Sequence, residues 1–272
     1  MTAAGLVIQT ASPMGYCDHF ALRRIAEDEA LSARLVAVLK ASAGTLAVSW
    51  LNLGEYATVT AREQRLEAER LLDRILPSVF PIDVDPSAVS KRQLAGAPYP
   101  HADPLFAALF VHKRELTISA SGIDMWLSAS GLFEPLNHPV LIGSKARLAK
   151  LTLEALDQRR QDYATKPEFR KLVSDAVRAP EQAATCTDAI VRTLAATFFP
   201  DERRVLTLND AIDFLHAAVP VAFCDAVLLD GATWDAVERA RRNLPGVKMA
   251  AAFSGRGDGV ERFLAHLARA RP

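Results

Sequence analysis

Leu208-Asn209-Asp210-Ala211-Ile212-Asp213-Phe214-Leu215-His216-Ala217-Ala218-Val219-Pro220-Val221-Ala222-Phe223-Cys224-Asp225-Ala226-Val227-Leu228-Leu229-Asp230 is the stretch on which the reading of this chain turns. Its opening residues have amphipathic helical spacing, which predicts a helix over 208–217 closed by Pro220. Ala226 to Leu229 is an apolar run of the kind that forms a fully buried strand. Asp210 and Asp213 share a face of the helix, while Asp225 and Asp230 bracket the strand. A helix and a strand so decorated can gather carboxylates at one edge of a sheet. Clustered carboxylates resist ionisation unless a cation neutralises them, and hard oxygen ligands suit Mg²⁺ or Mn²⁺. The stretch therefore predicts a metal-dependent phosphodiesterase site. Each acid taken singly also has an ordinary role open to it, as a helix cap or a turn residue.

Working outward, the carboxyl-terminal third continues the same alternation. A helix is expected over 233–242 with Thr233 as its cap, a strand over 247–253 and a closing helix over 259–270. The amino-terminal part reads likewise: a strand over 5–10 followed by Pro13 and Gly15 as turn residues, one helix or two broken near Glu29 over 21–39, and a strand over 45–49. A segment from Trp50 carrying Glu55 leads into a helix over 61–76, and Phe80-Pro81-Ile82-Asp83-Val84 reads as a further strand. β-α-β-α-β is the pattern of a parallel sheet covered by helices.

The middle differs. Between Tyr99 and Leu206 there is little period-two alternation, but there are helical patterns at 104–114 and 144–164, the latter with Ser144 as a cap, and room for two or three helices over 167–199. The expected architecture is an α/β domain built from 1–98 and 186–272, interrupted by a helical insertion over 99–185. Arg147, Lys150, Arg159, Arg160, Lys166, Arg170 and Lys171 make the insertion the most basic part of the chain, either as a solvated helix face or as a nucleic-acid contact.

Composition sets bounds on function. With 272 residues, half of them hydrophobic, a sizeable core is assured, and 32 basic residues balance 32 acidic ones. No global positive field advertises nucleic acid, so any such binding rests on a local patch. Cys17, Cys186 and Cys224 are far apart, odd in number and free of any C-x-x-C spacing, which argues against a disulfide framework and a zinc site and for the reducing cytoplasm. No signal peptide or membrane span is expected.

Taken together, Asp213-x-x-His216-Ala217, Phe223-Cys224-Asp225-x-x-x-x-Asp230 and the Phe253-Ser254 strand end before a helix resemble the PIN-like domain, an α/β fold best known from metal-dependent ribonucleases. The resemblance covers roughly 5–90 and 186–270. It implies a three-layer, Rossmann-like sheet and a carboxylate site for Mg²⁺ or Mn²⁺. Carried over by position, Ser49 and Glu55 match a Ser-containing strand leading to a helical Glu. Asp210 or Asp213 matches the acid of the later helix, and Asp225 or Asp230 the acid at a strand end. Glu55, Asp213, Asp225 and Asp230 are thereby the catalytic set, Asp210 an added metal ligand, and Ser49 and His216 substrate contacts. The first element departs from the pattern, because Ile8-Gln9-Thr10-Ala11 stands where the family has Leu-Asp-Thr-Asn. Gln9 offers a neutral oxygen in place of a charge. Asp18 replaces the missing acid only if the Pro13–Gly15 turn folds back. The resemblance thus leaves two readings, a ribonuclease acting on RNA or a catalytically inactive PIN-like scaffold that binds a protein partner or its own copy. The insertion then serves as a lid, a specificity element or an association surface.

Overall fold

The computed structural model describes residues 10–59, 61–97, 99–113, 125–127, 129–200 and 205–269. The chain opens with strand β1 (Met14–Cys17), helices α1 (His19–Glu27) and α2 (Glu29–Ser42), strand β2 (Thr45–Val48), helices α3 (Trp50–Val59) and α4 (Arg62–Arg74), strand β3 (Val79–Pro81) and helix α5 (Pro86–Leu94). The middle holds α6 (Pro104–Ala108), an antiparallel pair β4 (Val111–Lys113) and β5 (Met125–Leu127), then α7 (Phe133–Leu136), α8 (Pro139–Thr165), α9 (Pro167–Arg178) and α10 (Cys186–Ala196). The chain closes with α11 (Leu208–Phe223), β6 (Ala226–Leu229), α12 (Gly231–Asn243), β7 (Ala251–Ser254) and α13 (Gly259–Arg269).

The five strands β3-β2-β1-β6-β7 form one sheet, and every pairing in it is parallel. A parallel sheet must be covered on both faces, and alternation along each strand divides the side chains between two cores. Met14, Tyr16, Ala47, Phe80, Val227 and Leu229 pack with α5, α8, α10, α11 and α12 on one face. Cys17, Leu46, Val48, Val79, Ala226 and Leu228 pack with α1, α2, α4 and α13 on the other. The result is a three-layer α/β fold, as the alternating pattern predicts.

Several boundaries differ from the sequence reading, each for a local reason. Of the strand expected over 5–10, residues 5–9 lie outside the described residues and Thr10 is in no strand. The opening strand described is β1, with Gly15 inside it rather than in a turn. A Cβ on Gly15 would lie 2.9 Å from Phe263 and 3.1 Å from Leu267, so the missing side chain is what lets α13 lie against β1. The α1–α2 break falls at Asp28, whose carboxylate accepts from the amides of Ala30 and Leu31 and caps α2. Pro220 does not close α11, which runs on to Phe223. Pro220 offers no amide to the His216 carbonyl and its ring crowds that carbonyl, yet the helix continues for one further turn before it ends. Asp230, not Thr233, caps α12, and His138, not Ser144, caps α8. The last strand starts at Ala251, after a turn in which Gly246 has φ 89°.

The insertion is not a separate body resting on the sheet. Phe106, Phe110, Ala129, Leu132, Phe133 and Leu136 join one core, and Leu156 of α8 joins the other. No helix among the described residues is long and apolar enough to cross a membrane.

Candidate functional site

In this strand order β1 has β2 on one side and β6 on the other, so the chain reverses its direction of travel across the sheet between β1 and β6. The carboxyl ends of such a strand pair bound a crevice that the covering helices cannot fill, which is where open α/β sheets bind ligands. Both strands end there in an aspartate. Asp18 follows Cys17, and Asp230 follows Leu229. Asp18 Oδ1 accepts from the Ala21 amide at 2.8 Å and caps α1, while its Oδ2 accepts from the Asp230 amide at 2.6 Å. Asp230 in turn accepts through Oδ1 from the amides of Ala232 at 2.8 Å and Thr233 at 3.3 Å. Each acid sits where a strand turns into a helix, a place that demands an acceptor and offers the positive end of a helix dipole. The same backbone requirement therefore brings two carboxylates side by side.

Two helices add to them. Glu55 of α3 places Oε2 2.6 Å from His216 Nε2 and 3.1 Å from His19 Nδ1, and Oε1 3.7 Å from Lys145 Nζ. His216 is buried, and its Nδ1 lies 2.7 Å from the Tyr16 hydroxyl, so the ring is held at both nitrogens. Burial pushes the Glu55 carboxyl up, but hydrogen bonds and charge from His19 and His216 overcome it and hold the group well below the usual carboxylate range. Burial likewise opposes the charge on His19, yet Glu55 leaves its pKa raised, and burial lowers that of Lys145.

Asp213 of α11 behaves in the opposite way. Among the described residues no hydrogen bond or ion pair reaches its carboxylate. Burial, reinforced by the charge of Asp230 and, to a lesser degree, of Glu55 and Asp18, pushes its pKa up to about 7. Burial also raises that of Asp18, with Asp230 adding to it. The charge of His216 offsets part of this, and a carboxylate crowded by others favours its protonated form unless a further cation answers it. Asp213 also lines a cavity of about 210 Å³ between α10, α11 and α12, together with Asp210, Phe198, Thr233 and Arg239. A larger cavity of about 520 Å³ lies among α5, α9 and α10, lined by Leu94, Phe169, Leu172 and Phe199, and contains none of these carboxylates.

The residues singled out from the sequence are thus sorted. Glu55 and His216 are in direct contact, and Asp230 and Asp213 lie near enough for their charges to be felt, but among the described residues the group whose ligand atoms come within 4.8 Å of one another is His19, Glu55 and His216. Asp225 lies elsewhere: it precedes β6, about 16 Å from Asp230 along the strand, at the opposite edge of the sheet. There its Oδ2 accepts from the Ser12 hydroxyl and the Met14 amide at 2.8 Å each, and Lys248 Nζ is 3.7 Å from Oδ1. The two ends of one strand point to opposite edges, so Asp225 and Asp230 cannot both serve one site. Asp210 is a capping residue, its Oδ2 accepting from the amide and hydroxyl of Thr207 at 2.8 and 2.7 Å. Ser49 is buried and accepts from the Asn52 amide at 3.1 Å, which makes it a start signal for α3 rather than a substrate contact. Gln9 lies outside the described residues. Of the seven basic residues singled out in the insertion, three face acids one helical turn away, Lys150 with Glu154, Arg160 with Asp157 and Lys166, the C-cap of α8, with Asp162.

Three residues escaped the sequence reading or were set aside by it: Asp18, His19 and Lys145. The signal for Asp18 was present, since Met14-Gly15-Tyr16-Cys17-Asp18 has the form of Ala226-Val227-Leu228-Leu229-Asp230, an apolar run closed by an acid. Glycine inside the run hid it. Lys145 comes from the insertion, and no local pattern could tie it to Glu55. Comparison with protein-family models, curated proteins and solved structures returns no match. Function must be argued from the site.

Proposed function

We propose that this protein is a PIN-like, divalent-metal-dependent nuclease that hydrolyses phosphodiesters of RNA, with Asp18, Glu55, Asp213 and Asp230 as the carboxylates of its site. The observation that supports this reading is the placement of Asp18 and Asp230 side by side at the crevice between β1 and β6, the Asp230 amide donating to Asp18 Oδ2, with Asp213 near enough to feel the charge of both. Asp18 supplies the acid at the end of the first strand that Gln9 does not. Burial and mutual repulsion favour a cation of hard character, and Mg²⁺ or Mn²⁺ fits a donor set of carboxylate oxygens. Asp213, free of hydrogen bonds, and the second oxygen of Asp230 are the groups open to it. When bound, such an ion supplies a Lewis acid and an activated water for in-line attack on phosphorus. The protein's own contribution is orientation: the caps of α1 and α12 lock Asp18 and Asp230, and Tyr16 locks His216. Lys145 brings a positive side chain from the insertion to Glu55, where a phosphate oxygen would meet it.

The test is calorimetric titration with Mn²⁺ at neutral pH, run on the parent and on Asp213→Asn/Asp230→Asn, with cleavage of single-stranded RNA measured alongside. Mutant-sensitive binding together with cleavage is the expected result. Mn²⁺ affinity unchanged by the double substitution would sink the carboxylate site.

A second reading, an inactive PIN-like scaffold that binds a protein partner, has one observation in its favour. Glu55 is already matched by His19, His216 and Lys145, so the charge of one acid of the four is answered without any ion. Folded protein with neither Mn²⁺ binding nor cleavage is the outcome that selects it.

A further inference from the structure

The pairing of Glu55 has a chemistry of its own. His19 Nδ1, His216 Nε2 and a Glu55 carboxylate oxygen, from three different helices, all lie within 4.8 Å of one another. Tetrahedral coordination with bonds near 2.1 Å sets ligand atoms about 3.4 Å apart. The observed separations from Glu55 Oε2 are 2.6 Å to His216 Nε2 and 3.1 Å to His19 Nδ1, so small side-chain shifts reach that spacing. His19 Nδ1 is buried and faces Glu55 Oε2 at 3.1 Å. His216 has the support that ligating histidines require, because its far nitrogen, Nδ1, is 2.7 Å from the Tyr16 hydroxyl, which fixes the ring and leaves Nε2 facing Glu55. Asp18 caps α1 and thereby fixes the backbone on which His19 begins. Lys145 engages the other oxygen, Oε1, so Oε2 is the one turned to both imidazoles.

We propose that His19, Glu55 and His216 bind a first-row transition-metal ion, Zn²⁺ or Co²⁺ in preference to Mn²⁺ and with little affinity for Mg²⁺. Two imidazole nitrogens and one carboxylate form a borderline-soft donor set that Mg²⁺ occupies poorly. Three protein ligands leave a coordination position open to solvent, as in catalytic rather than structural zinc sites. The site goes beyond the nuclease reading: it shares Glu55 with the carboxylate set but needs none of Asp18, Asp213 or Asp230 as a ligand.

The experiment is a Co²⁺ titration of the full chain followed by visible absorption, then back-titration with Zn²⁺ and, separately, with excess Mg²⁺. The parent is expected to develop ligand-field bands at one equivalent, bleached by Zn²⁺ and untouched by Mg²⁺. His19→Gln and His216→Gln are each expected to weaken binding by about 10-fold or more, and Asp213→Asn/Asp230→Asn to retain the bands. His19 is half-buried and begins a helix, so its variant keeps the test valid if the His216 variant fails to fold. Bands unchanged in folded His19→Gln, no Co²⁺ binding by the parent, or complete displacement by Mg²⁺ would each overturn the proposal. Mg²⁺-supported RNA cleavage without histidine-dependent Co²⁺ binding overturns this site and leaves the nuclease reading standing. Co²⁺ bands without cleavage or carboxylate-dependent Mn²⁺ binding do the reverse.

Discussion

Strand β6 carries an aspartate at each end, and the two have opposite fates. Asp225, at the amino edge of the sheet, is met by the Ser12 hydroxyl, the Met14 amide and Lys248, so its charge is answered from within the chain. Asp230, at the carboxyl edge, answers the α12 amides through one oxygen and adds its charge to Asp18 and Asp213. The same residue type flanking the same strand is a fastener on one side and part of an unresolved charge on the other. Direction explains the difference. At the carboxyl edge of a parallel sheet helices begin, so acids that cap them converge between β1 and β6. At the amino edge helices end and the chain re-enters the strands, so an acid meets returning backbone and nearby side chains.

The comparison can be broken most directly by exchanging acid for amide at each edge. Asp18→Asn should lower Mn²⁺ affinity by roughly 100-fold, whereas Asp225→Asn should leave it within experimental error, both read by calorimetry. Equal losses at the two edges would mean that the separation drawn between them is wrong. For stability the ranking inverts. Asp225→Ala orphans the Met14 amide and should destabilise by ~1–3 kcal/mol in chemical denaturation, with RNA cleavage unaffected.

Asp213→Asn sharpens the contrast through pH. Asp213 has an ordinary pKa of 3.8, raised to about 7 by burial and by Asp230. A raised carboxylate contributes its stability below the unfolded value, and that contribution is lost as pH rises through the folded one. In metal-free buffer the parent should therefore lose stability between about pH 4 and pH 7 relative to Asp213→Asn, the difference levelling off above pH 7. After allowance for solvent screening this is ~1–2 kcal/mol, or about 2–6 °C in melting temperature. Parallel pH profiles for the two proteins would show that Asp213 is not crowded. The smallest effect belongs to Lys248→Ala, whose exposed ion pair with Asp225 should be worth ~0.5 kcal/mol or less and should vanish at high salt.

The sequence was most legible where one face of an element is buried and the other is wet. The periodicity of α4 and α13 announces itself because burial on one side leaves a repeat in the residues, and β6 does so because burial on both faces leaves an unbroken apolar run. α5 was missed: it is a short helix with Val89 as its only fully buried residue, so it carries almost no repeat. The β4–β5 pair was missed because three residues per strand are too few to alternate visibly. β1 was displaced toward the amino terminus because Gly15 reads as a turn residue, while its real purpose is to admit Phe263 and Leu267 from the far end of the chain. At the site, Glu55, Asp213, Asp230 and His216 were legible as acids and a histidine on predicted elements. His19 and Lys145 were not, because each matters only through Glu55, which is 36 and 90 positions away from them respectively (55 − 19 and 145 − 55).

What the sequence determined by itself was the layered α/β character of the chain and the presence of acids at element boundaries. Both are local consequences, of hydrophobic period in the first case and of the acceptor that a helix start requires in the second. Only the tertiary structure decided which boundaries meet. Strand order set Asp18 beside Asp230 and sent Asp225 to the other edge. Packing of α8 and α11 brought Lys145 and His216 to Glu55. Strand order and helix docking depend on long-range burial that leaves no fixed spacing along the chain, so a site assembled from them is a property of the fold and not of any one segment.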